Sequence, residues 1–116
     1  MLARLAAMLA GSGWTSIEEI PSAIDLRTTN PCDGRRVIFE VKTLSGSNEV
    51  SQCRAALSQL LEYRFFYGQS ADRLCLVVNA AIADRRRAFL EEHNIAVVLI
   101  DETRIQSVGV SRESNP

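Results

Sequence analysis

Lys42 is the only lysine in a chain of 116 residues, and the other twelve basic side chains are arginine. It stands two positions after Glu40 in Ile38-Phe39-Glu40-Val41-Lys42-Thr43, a run of strand-forming composition. Residues i and i+2 of a strand project to one face, so Glu40 and Lys42 point together and Val41 points away. Arginine is a permanently charged fork, whereas lysine is a compact point charge whose pKa moves with burial. A lysine beside a carboxylate can therefore orient a water or neutralise charge developing on an oxygen. A second acid, Asp25, lies between apolar residues in Ala23-Ile24-Asp25-Leu26. Two carboxylates suit magnesium, which takes one or two of them and completes its shell with water and substrate phosphate. The plain alternative is a solvent-exposed Glu-x-Lys ion pair, common on sheets and worth little.

These residues need a frame. Leu2, Leu5, Ala6 and Leu9 recur at helical spacing and predict a helix over 1–11, closed by Gly11-Ser12-Gly13. Residues 14–21 read as a connection with at most a short strand. Strands are predicted over 22–29 and 36–43, joined by a turn-rich segment containing Asp33-Gly34, and they should pair as an antiparallel hairpin. A long helix over 49–67 carries Ala56, Leu57, Leu60, Leu61 and Phe65 as its apolar stripe. The unbroken apolar runs 73–78 and 95–100 read as strands buried on both faces, linked by a helix over 82–93 in a right-handed crossover. The fold class is α/β: a mixed sheet, antiparallel hairpin first and parallel strands after, flanked by helices on both faces. One domain covers 1–104, and 105–116 reads as a poorly structured tail.

Composition narrows the partners. The formal charge of −1 supplies no general attraction for nucleic acid, so an anionic partner must meet a local patch. Cys32, Cys53 and Cys75 are odd in number and widely spaced, which fits neither a disulfide framework nor a zinc site and suits a reducing cytoplasm. The apolar segment 1–10 is too short to span a bilayer.

Asp25 followed by Glu40-Val41-Lys42 resembles the signature of the PD-(D/E)XK nuclease superfamily, the restriction-endonuclease-like fold. On the long helix, Gln59-Leu60-Leu61-Glu62-Tyr63 sets Gln59 and Tyr63 on one face. That pair resembles the Gln-x-x-x-Tyr feature of the branch containing nuclease domains of bacterial recombination complexes. The likeness runs over about residues 1–100. It implies a metal-dependent nuclease in which Asp25, Glu40 and the Val41 carbonyl hold Mg2+, with Mn2+ able to substitute. Lys42 would position or activate the attacking water, and Gln59 would support the site. Tyr63, Arg54 and Thr43 would contact substrate, expected to be DNA.

The chain also departs from that pattern. The family's first helix often supplies an acid or a histidine, and residues 1–11 contain neither, leaving Glu18 or Glu19 as substitutes. His93 is far along the chain from the motif. Arg35-Arg36 and Arg85-Arg86-Arg87 are weighed as phosphate contacts against ordinary solvated charge, and Arg54 and Arg64 are the better candidates. Tyr63, Phe65, Phe66 and Tyr67 are read mainly as core. The alternative function is a catalytically inactive nucleic-acid-binding or assembly module of the same fold, and a third reading is an interaction protein with no nucleic-acid role. A homodimer is expected to cover Leu2, Leu5 and Leu9.

Overall fold

The computed structural model describes residues 1–21 and 24–100, and the backbone of 105–108. Its elements run α1 (Leu2–Gly11), β1 (Thr15–Ile20), β2 (Ile24–Thr29), β3 (Arg36–Lys42), α2 (Glu49–Tyr67), β4 (Arg73–Val78), α3 (Asp84–Glu92), β5 (Ile95–Ile100) and β6 (Ile105–Val108). The strands form one six-stranded sheet in chain order, β1-β2-β3-β4-β5-β6. Pairing is antiparallel from β1 to β3, parallel from β3 to β5 and antiparallel between β5 and β6.

Two apolar layers hold this sheet. On one face Leu5 and Leu9 of α1 pack with Trp14, Leu26, Phe39, Val77 and Val98. Trp14 meets the Phe39 ring edge-on, with centroids 6.0 Å apart. On the other face Cys53, Ala56 and Leu60 of α2 and Leu90 of α3 cover Ile38, Leu74, Leu76 and Val97. β4 and β5 are sandwiched between these layers, which explains their unbroken apolar runs. Leu5 and Leu9 are 1% and 4% exposed. The apolar face that suggested a dimer is thus covered by the chain's own sheet.

Several expectations shift. Residues 14–21, read as a connection with at most a short strand, contain the six-residue β1, whose pairing with β2 is interrupted twice. Ile17 and Ile20 are three apart rather than two, and Ser16 sits at φ 52 in the first irregularity, so strand periodicity is absent. The beginning of the strand expected over 22–29 lies outside the described residues at 22–23. α3 starts at Asp84 because Ala83 is extended and donates its amide to Glu49 Oε2 of α2 at 3.0 Å. The tail expected from 105 begins instead with β6, whose backbone pairs with the free edge of β5. Residues 109–116 lie outside the described residues.

The start of β3 is latched to the segment before β4. Asp72, 4% exposed, accepts from Arg36 Nε at 3.0 Å and Nη2 at 2.7 Å. It also accepts from the Gln69 amide at 2.9 Å. A Cβ at Gly68 would lie 2.6 Å from Asp72 Oδ2, so only glycine leaves room for this carboxylate. Asp72→Ala should lower unfolding free energy by about 2–3 kcal/mol, since it strands a half-buried guanidinium. Urea denaturation checks this, and a midpoint unchanged from wild type would assign the latch no role in stability.

Candidate active site

The β2–β3 register pairs Leu26 with Phe39 and Arg27 with Ile38. Leu26 and Phe39 face α1, while Ile38 faces α2. Asp25 and Glu40, one step further along each strand, therefore project toward α2. Beyond Leu26 the Asp25 side chain takes over from the ladder, its Oδ2 accepting the Val41 amide at 2.9 Å. From the opposite side α2 delivers Gln59 and Tyr63, one helical turn apart. Asp25, Glu40, Gln59 and Tyr63 line one cleft of about 490 Å³, with Glu19, Leu2 and Ile24 at its walls.

Glu40 is the centre of this arrangement. It is 4% exposed. One carboxylate oxygen, Oε2, meets Lys42 Nζ at 3.2 Å. The other, Oε1, is buried and has no hydrogen-bond partner among the described residues, and the same holds for Gln59 Oε1. Burial, followed by repulsion from Asp25, pushes the Glu40 carboxyl up to about 7, against the opposing pull of Lys42. Burial and the same two carboxylates also raise the Tyr63 hydroxyl. Unsatisfied buried acceptors are expensive unless something positive or hydrogen-bearing fills the space between them.

The oxygen donor set fits a hard divalent cation. Asp25 and Glu40 bring two carboxylates to one cleft, and magnesium takes one or two carboxylates with water. Among the described residues no three His, Cys, Asp or Glu side chains gather closely enough to hold a metal. Glu19, on β1, reaches the cleft wall without joining such a group. Glu18 is held by Arg27 at 2.8 Å and is not available to the cleft.

Other expected contacts sit apart. Arg54 is exposed on α2, about 140° around the helix from Gln59. Thr43 is exposed just past β3, where its carbonyl accepts from Asn48 Nδ2 at 3.3 Å. Arg36 is committed to Asp72, and Arg64 Nη1 reaches the Asp72 carbonyl at 3.4 Å. Arg87 pairs with Asp84 at 3.4 Å. His93 caps the end of α3 and stacks edge-on against Phe89, with centroids 5.0 Å apart. A second hollow of about 450 Å³, lined by Leu61, Arg64, Phe65, Gly68 and Ser70, contains no carboxylate and lies apart from this chemistry.

The aromatic end of α2 departs from expectation. Phe65, Phe66 and Tyr67 are 81%, 65% and 55% exposed rather than core. Successive i+4 steps drift about 40° each around a helix, so Leu57, Leu61 and Phe65 rotate out of the line buried at Cys53, Ala56 and Leu60.

Similar folds occur among crystal structures. An XisH family protein from Nostoc punctiforme PCC 73102 matches with TM-score 0.66 and 21% identity over 92% of this chain and 97% of that one. An fdxN element excision controlling factor protein from Anabaena variabilis matches with TM-score 0.60 and 21% identity over 86% and 91%. A repair endonuclease from Pyrococcus abyssi matches with TM-score 0.60 and 16% identity over 87% of this chain and 47% of that one. The fold is restriction-endonuclease-like. In that fold the hairpin and crossing helix are the parts that here converge on the cleft. At these identities the likeness establishes architecture, and the chain spans about half the length of the endonuclease. No protein-family model matches the sequence, and neither does any curated protein. Among the described residues no helix is long and apolar enough to cross a membrane.

Proposed function

We propose that this chain is a metal-dependent nuclease that hydrolyses phosphodiester bonds in DNA. The observation carrying the reading is the unpartnered, buried Glu40 Oε1 in a cleft shared with Asp25 and Gln59. Asp25, Glu40 and the Val41 carbonyl would hold Mg2+ or Mn2+. When bound, that ion supplies charge neutralisation at the phosphoryl oxygen and acidifies a water. Asp25 is oriented for its part by the Val41 amide, which fixes one carboxylate oxygen. Lys42, tethered by Glu40 Oε2, holds the attacking water or its developing hydroxide in line with the phosphorus. Gln59 orients water or a substrate oxygen, and Tyr63 braces the substrate backbone. Arg54 and Thr43, outside the cleft, would serve only the flanks of a longer substrate.

Calorimetric titration of Mg2+ and Mn2+ into wild type and Asp25→Ala, followed by nicking assays on the same samples, tests this. Wild type should bind and cleave, and Asp25→Ala should lose both. Absence of binding by wild type well above cellular metal concentrations would make the Glu40–Lys42 pair structural and sink the proposal.

A second reading is a nucleic-acid-binding or assembly module without catalysis. It is favoured by the two-carboxylate site, in which Glu19 does not complete a group of three. Metal binding without cleavage of any DNA form would support it.

A further inference from the structure

We infer that the strand entering the cleft is single-stranded nucleic acid, whose bases stack on Phe66 and Tyr67 while its phosphodiester lies against Glu40. This rests on the nuclease reading and narrows its substrate.

Helical geometry joins the two places. At 100° per residue, Gln59, Tyr63 and Phe66 fall within about 60° of one another, and Phe66 lies roughly 10 Å along α2 from Gln59. Gln59 and Tyr63 line the cleft. The same helix face therefore continues from the cleft into exposed aromatic surface. That surface is braced. Phe65 meets Phe66 edge-on with centroids 5.1 Å apart and rings at 89°, and Phe66 meets Tyr67 at 6.4 Å. Arg27 Nη1 fixes the end of the helix by donating to the Tyr67 carbonyl at 3.0 Å. Aromatic side chains have two rotatable bonds, so ordering one against a base costs little entropy.

The exposed aromatic faces choose between duplex and single strand. Duplex binding draws on many phosphate contacts and grows with the number of free cations. Here the net charge is −1, and several cations are already neutralised. Arg27 pairs with Glu18 at 2.8 Å, Arg36 with Asp72 at 2.7 Å, and Arg73 with Asp33 at 2.7 Å. Glu62, exposed on α2, adds repulsion beside the platform. Single strands are anionic too, but a base can stack on an exposed aromatic face only when it is not already stacked in a duplex.

The test is fluorescence anisotropy with labelled oligothymidylate and a blunt duplex of equal length, in EDTA to prevent cleavage. It uses wild type, Phe66→Ala, Tyr67→Ala and Phe66→Trp, each checked for folding by circular dichroism. The single strand should bind more tightly than the duplex. Each alanine variant should weaken single-strand binding about tenfold, and Phe66→Trp should preserve it. Equal or tighter duplex binding, or alanine variants that bind like wild type, would overturn the inference. If wild type still cleaves in magnesium, the nuclease reading survives that result. If wild type neither binds nor cleaves either oligonucleotide, both readings fall. Light scattering on the same variants covers the remaining case: conversion of a dimer to a monomer with unchanged binding would make the aromatics a self-association surface and overturn the inference.

Discussion

Lys42→Ala is expected to lower the rate of phosphodiester cleavage by about 10²–10⁴-fold while leaving the fold and metal binding in place. Among the described residues the ammonium is the one positive group paired with the Glu40 carboxylate, at 3.2 Å. Its side chain is 14% exposed, so circular dichroism and urea unfolding check that the alanine variant keeps its fold. Lys42→Arg should not restore the rate, because a longer planar fork cannot place a point charge where the ammonium stood. Single-turnover cleavage beside calorimetry on the same protein separates the roles. Undiminished cleavage by Lys42→Ala would remove Lys42 from the chemistry. Loss of metal binding along with cleavage would instead make it an organiser of Glu40.

The second large effect follows from Glu40. Its carboxyl is raised from 4.5 to about 7 by burial first and by Asp25 next. A bound cation needs the carboxylate, so a proton and the metal compete for it. Apparent Mg2+ affinity should fall about tenfold per pH unit below neutrality and level off above it. The linkage for the metal-free fold runs the opposite way. Between 4.5 and about 7 the folded chain holds a proton that the unfolded chain has released. Stability is therefore greatest on the acid side of this window for this group and declines as pH rises through it, on the order of 2–3 kcal/mol. Saturating Mg2+ should recover that loss at alkaline pH. Asp25→Asn should bring the Glu40 value down without returning it to 4.5, because burial persists. Titrations of metal binding and urea unfolding across neutrality check both signs, and a flat Mg2+ affinity would remove Glu40 from the ion's shell.

What could be read in the amino-acid order tracks where local physics dominates. The bounds of α2, β4 and β5 follow directly from a long helical run, its Gly68 stop and two fully apolar runs. Asp25, Glu40, Gln59 and Tyr63 could be gathered because hairpin pairing and helical spacing each dictate which side a residue faces. β1 could be read only as at most a short strand, because Ser16 and a second irregularity break its alternation, and strand periodicity is the signal that identifies a strand. The end of α2 escaped for another reason. Hydrophobicity marks Phe65 as core, but angular drift turns it away from the line buried at Cys53, Ala56 and Leu60. Leu5 and Leu9 showed an apolar face without showing what covers it, and the covering residues include Leu26 and Phe39, distant in sequence. The unpartnered Glu40 Oε1 is a property of packing in three dimensions and leaves no trace in composition.

The sheet's unshuffled strand order bears on how the protein is made. Every strand pairs with its sequence neighbours, so each can dock on its predecessor as the chain emerges from the ribosome, without waiting for a distant partner. The proposed site residues are all synthesised by the end of α2. The support beneath them comes later, when β4 closes against the other edge of β3 and Asp72 reaches Arg36. A nascent chain thus carries every proposed site residue before it can hold them in register, and the proposed activity would be the last property to mature.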